Sequence, residues 1–138
     1  MSSVGGGQLD LRALELANEI YGIVAKKDGN GNVEGQATVV GLHVDDTQLV
    51  NLHGDVTCLQ VSGNQAWIGV TVTQSTAAPG PYSVGGSFWF RVQDNGEGEN
   101  AAADRISNLN PNGGAARCNE MRAGLPLAWE IIGNVQVR

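Results

Sequence analysis

The sequence predicts an all-β protein, a single-domain antiparallel β-sandwich or flattened β-barrel of about eight to ten strands. Three observations predict it. Hydrophobic residues alternate with polar ones in several short segments, glycine- and asparagine-rich turns separate those segments, and 20 glycines stand beside only 16% charged residues. With 138 residues the chain fits one domain, 1–138, able to bury roughly 68% of its unfolded surface. The glycine-rich opening, residues 1–8, is expected to be flexible.

The elements follow in order. From Leu9 to Ile20 the helix formers and the spacing of Leu9, Ala13, Leu16, Ala17 and Ile20 admit a short helix. The reading adopted is strand from Leu9 to Leu14 and again from Glu19. Next, Asp28-Gly29-Asn30-Gly31-Asn32 sits between Ile20–Ala25 and Gln36–Val40, and its glycines supply the positive φ angles of a β-hairpin turn. A second hairpin joins Leu49–Val61 to Ala66–Gln74 around Ser62-Gly63-Asn64-Gln65, with Ile68, Val70 and Val72 on one face and Trp67, Gly69, Thr71 and Thr73 on the other. Two prolines around a glycine make Ala77–Tyr82 a loop. Phe88, Phe90 and Val92 then share one face of a strand, and Trp89, Arg91 and Gln93 the other. Pro111-Asn112-Gly113-Gly114 marks a turn or flexible loop, and alternation from Trp129 to Arg138 marks a final strand.

Composition removes several functions. A net charge of −6, with eight scattered basic residues, argues against a nucleic-acid partner, whose phosphates require clustered Lys and Arg. No apolar run approaches the ~18 residues of a transmembrane helix. The opening also lacks the basic end and apolar stretch of a signal peptide, although such an opening is what remains when a start codon replaces one. The two cysteines, Cys58 and Cys118, form no CxxC or CxxH. They fit either one long-range disulfide in an oxidising compartment or two inert buried thiols.

Three constellations are candidates for chemistry. The strand at Phe88 runs into a loop whose Asp94, Asn95, Glu97, Glu99, Asn100 and Asp104 offer oxygen ligands for Ca²⁺. The loop lacks an EF-hand frame, and the competing reading has Asp94 and Asp104 accepting hydrogen bonds from backbone amides. Asp28–Asn32 resembles the start of a calcium loop but has Val33 where glycine is needed, so a hairpin turn is the better reading. Both histidines occur as His-x-Asp, His43 with Asp45 and His53 with Asp55, which on a strand places each pair on one side. His53 and Asp55 could serve as a base and its orienting carboxylate, yet no nucleophile elbow or third metal ligand accompanies them. Trp67, Trp89 and Trp129 with Arg91 could line a ligand platform, or pack as core with their N–H groups bonded to neighbours.

The motifs His53-Gly54-Asp55-Val56-Thr57-Cys58, Asp94-Asn95-Gly96-Glu97-Gly98, Asp104-Arg105-Ile106-Ser107 and Gly133-Asn134-Val135-Gln136-Val137 resemble those of small, mostly exported bacterial β-proteins of unassigned function. The resemblance runs from about Gly31 to Arg138. It implies an all-β domain of extracellular or cell-surface origin and no catalytic residue. With two cysteines in such a chain, a Cys58–Cys118 disulfide is predicted. The expected role is an exported non-catalytic binding or structural domain, open to stabilisation by Ca²⁺. Two alternatives stand beside it: a small barrel enclosing an apolar ligand as carrier or cyclase- or isomerase-like enzyme, and a surface-assembly subunit exchanging an edge strand with a second copy. A tryptophan-lined cavity would favour the carrier, and an exchanged amino-terminal strand the assembly.

Overall fold

The computed structural model describes residues 7–16, 19–45, 48–96, 102, 104–122, 124, 126–127, 129–130 and 132–137, with the backbone alone at 7–16, 19–20, 43–45, 48, 129 and 132–137. Nine strands are described: β1 (Gly7–Leu16), β2 (Glu19–Lys27), β3 (Val33–Asp45), β4 (Gln48–Ser62), β5 (Gln65–Ser75), β6 (Ser87–Gln93), β7 (Arg105–Ile106), β8 (Trp129–Glu130) and β9 (Ile132–Val137). They make one sheet in the order β8-β7-β6-β5-β4-β3-β2-β1-β9, and the paired neighbours run antiparallel. A sandwich needs two packed sheets, and no second sheet is found among the described residues. The only helical piece among them is a 3₁₀ turn, Ala115–Glu120.

The helical spacing from Leu9 to Ile20 yields to strand pairing, because β1 is bonded on both sides, to β2 and to β9. Gly7 and Gln8 already belong to that strand, opposite Lys27 and Lys26; residues 1–6 lie outside the described residues. The first hairpin turn is built around Asp28. Its carboxylate accepts the amides of Asn30 (2.8 Å) and Asn32 (3.0 Å) and the Asn32 side-chain amide (3.2 Å), while Gly31 supplies a φ of 87°. These bonds, the Asn32 amide foremost, hold the Asp28 carboxyl below the usual carboxylate range. The second turn has Gly63 at φ 59° between paired Ser62 and Gln65, as a two-residue hairpin requires.

One face of the sheet carries the core. Ile23, Val39, Val50, Leu59, Ile68, Phe88, Phe90 and Ile106 are its largest fully buried members besides Trp89, which lies on the other face. Bulges set which residues face it. In β3, two residues, Val40 and Gly41, oppose Asn51 alone, so burial passes from the odd-numbered Ala37 and Val39 to Leu42. Gly41 takes a φ of 75° there, and its amide is bonded by the Asn51 side chain at 3.0 Å. In β4, Thr57 is the extra residue between Val56↔Val70 and Cys58↔Gly69. Ahead of it Val50, Leu52 and Val56 face the core; beyond it Leu59 and Val61 do, and Cys58 turns to the opposite face.

Candidate functional site

Beyond the Thr57 bulge, the outer face of β4, β5 and β6 is covered by the segment from Asn108 to Met121. Asn110 pairs with Trp89 through both backbone bonds (2.8 and 2.9 Å), and the 3₁₀ turn brings Cys118 over Cys58, where the two form a disulfide with Cα atoms 6.1 Å apart. Gly69 makes the approach feasible, since a Cβ at that position would collide with the Ala115 carbonyl. Gln60 receives Lys27 on one side (3.1 Å) and donates to Asn119 on the other (2.8 Å). Arg122 and Arg117 both pair with Glu120 at the end of the turn, and the Arg122 hydrogen bond holds that carboxyl below its ordinary value.

Trp67, Trp89 and Arg91 lie beneath this cover. Trp67 and Trp89 are buried with Cys58 and Cys118, and their indole N–H groups donate to the carbonyls of Arg122 (3.0 Å) and Asn112 (3.2 Å). Arg91, paired with Trp67 across the ladder, is buried and donates to Gln65 Oε1 at 3.0 Å. Burial lowers its pKa from the usual arginine value. The Trp129 side chain lies outside the described residues. This layer has the composition of a small second core, and no buried side-chain polar atom among the described residues lacks a hydrogen-bond partner.

In the acidic loop, the Asp94 carboxylate accepts the Gly96 amide (2.9 Å), and the buried Asp104 accepts the Asn95 amide (2.8 Å). One oxygen of each carboxylate is thus engaged by a backbone donor, as the loop reading without a cation expects. No group of three or more His, Cys, Asp or Glu positioned for a metal occurs among the described residues; Glu97, Glu99 and Asn100 lie outside them.

His53 and Asp55 both face outward on the open half of β4. The His53 ring reaches across the sheet, Nδ1 to Thr38 Oγ1 at 2.8 Å, rather than along its own strand to Asp55. Asp55 is exposed, opposite Gln36 on β3 and Thr71 on β5. For His43 and Asp45 only the backbone is described.

Beside His53 the outer face of β2, β3 and β4 sinks into an open hollow of about 650 Å³. Gly22, Val24, Gly35 and Gln36 line it, Gly22 with no side chain to fill it, Lys26 and Glu34 pair at 3.5 Å at one end, and Thr38 with His53 lies at the other. Sequence reasoning missed it. The signal present was a glycine within the Ile20–Ala25 run, beside Val24, a residue that remains 50% exposed.

No helix among the described residues is long and apolar enough to cross a membrane. No protein-family model, curated protein or solved structure matches the chain.

Proposed function

We propose that the protein is an exported, non-catalytic binding or structural β-domain: a stapled scaffold that meets its partners on its outer surface. The observation that carries this reading is the close burial of the described core residues. Phe88, Phe90, Ile68 and Leu59 are each no more than 1% exposed, and the two described indoles, Trp67 and Trp89, are buried under a covering segment rather than lining a chamber for an apolar cargo. The disulfide suits an oxidising compartment, in keeping with export. Strand exchange with a second copy has less support, since β1 already pairs with β2 and β9 of its own chain.

The same reading makes the sheet a flattened barrel. β8 borders β7 at one end of the strand order, β9 borders β1 at the other, and a single residue separates β8 from β9 in sequence. One strand shared between both ends closes the sheet and removes its long edges. The bulges in β3 and β4 supply the bends that closure needs.

Titration with palmitate and with 1-anilinonaphthalene-8-sulfonate, followed by tryptophan fluorescence, tests the proposal. Neither is expected to saturate. One-to-one uptake of either, with quenching of the indoles, would replace the scaffold reading by the carrier.

A further inference from the structure

We infer that the hollow at Gly22 is a binding site for a neutral saccharide, a deepening of the binding-domain reading on which it rests. The first argument is Gly22 itself. Among strand glycines whose surroundings are described, Gly41 and Gly35 have φ of 75° and 150°, a Cβ on Gly54 would lie 2.5 Å from the Thr71 carbonyl oxygen, and one on Gly69 would strike Ala115. Each is glycine for a backbone reason. Gly22 has none among the described residues: its φ is ordinary, and a Cβ there would meet no described atom within 4 Å. A glycine in a strand interior weakens the strand, so a bare position at the floor of a hollow keeps that floor open for something else.

The lining selects the occupant. Backbone groups of β2 and β3 are paired along the ladder from Ile20↔Val40 to Lys27↔Val33, so an extended peptide finds no free strand edge to join. Lys26 and Glu34 neutralise each other, and the exposed Asp55, opposite the lining residue Gln36 on the ladder, adds negative charge beside the hollow, which disfavours phosphate and carboxylate ligands. Gln36 both donates and accepts, and His53, with Nδ1 held by Thr38, keeps Nε2 for a ligand. A wholly apolar ligand would strip water from these groups and return no hydrogen bond. A pyranose matches all of them: hydroxyls that donate and accept at the rim, and a C–H face to lie on Val24 and the glycine backbone. With no aromatic side chain among its described lining residues, the site is a weak one, with a dissociation constant on the order of 1 mM.

The test uses the whole disulfide-bonded protein, isotope-labelled, with maltose, cellobiose and N,N′-diacetylchitobiose as probes at concentrations up to roughly 10 mM. The expected result is saturable amide shifts at Gly22, Gly35, Gln36 and His53 with at least one disaccharide. Gly22→Val, whose Cβ meets no described atom within 4 Å, puts a branched side chain into the hollow and should abolish them while melting at or above the wild-type temperature. If that variant misfolds, Gln36→Ala serves in its place and should weaken binding at least threefold. Absence of saturable shifts with all three sugars, or sugar binding that survives Gly22→Val, overturns the site. Saturable binding of inorganic phosphate or a short peptide at the same residues overturns the saccharide and leaves the binding-domain reading standing. Occupation of the interior by the apolar probes would overturn that broader reading instead.

Discussion

Replacing both Cys58 and Cys118 by alanine tests the energetic centre of the fold. The bridge joins residues 60 apart, and in the chain-entropy description closing a loop of that length destabilises the unfolded ensemble by about 4 kcal/mol. Alanine leaves no buried polar atom behind, so the loss in the double variant should be close to that figure, plus a small term for the missing sulfur volume. With an unfolding entropy of about 2.1 cal/mol/K per residue over this chain length, it corresponds to a fall in Tm of roughly 10–15 °C.

Urea unfolding followed by tryptophan fluorescence and circular dichroism measures it. Because the effect resides in the unfolded chain, the denaturant slope should also rise, the uncrosslinked chain exposing more surface. The native emission should stay that of buried indoles, since Trp89 keeps its Asn110 pairing and Trp67 its bond to Arg122. A loss below about 1 kcal/mol would refute the reasoning. An unchanged slope combined with a red-shifted native spectrum would move the effect to the folded state, with the disulfide alone holding the cover down.

Three further outcomes are expected. Gly69→Ala should destabilise by roughly 1–3 kcal/mol and red-shift the tryptophan emission, because its Cβ forces the Ala115 segment off the sheet; calorimetry with fluorescence checks both. Asp28 has its pKa lowered in the folded protein, so its contribution is fully present above about pH 3.9 and is lost as pH falls through the depressed folded value; the pH dependence of the urea midpoint should be shallower in that acid range for Asp28→Asn. Adding Ca²⁺ or chelator should leave Tm unchanged, because Asp94 and Asp104 are engaged by backbone amides; a gain of about 2.7 kcal/mol at one hundred times a measured dissociation constant would restore the cation reading.

What was legible in the sequence had local causes. The faces of β5 and β6 follow from period-two alternation, and the two hairpin turns from glycines where positive φ is needed. The disulfide was legible because only two cysteines exist to pair. What was not legible depends on register between strands. The face of Cys58 reverses at Thr57, and nothing local marks Thr57 as the unpaired residue. The cover from Asn108 to Met121 has no apolar period, since its fit rests on Trp89 carbonyl and amide bonds, on Gly69 and on Cys58, all supplied by distant strands. His53 and Asp55 do share a face, but the partner of the ring came from β3, as Thr38, and not from its own strand.

The bulge at Thr57 gives β4 two outward surfaces of opposite character. Upstream, Asn51, His53 and Asp55 look out toward water and, at His53, into the hollow; downstream, Cys58 and Gln60 look out into the covering segment. In an unbulged strand Cys58 would share the side of Val56 and point into the core, away from Cys118. The inserted residue therefore lets one long strand be stapled at one end while its other end stays free. That division also separates the costs. A side chain at Gly69 disrupts packing, whereas a Cβ at Gly22 meets no described atom within 4 Å, and the proposed saccharide site would account for the loss of strand stability that this glycine brings.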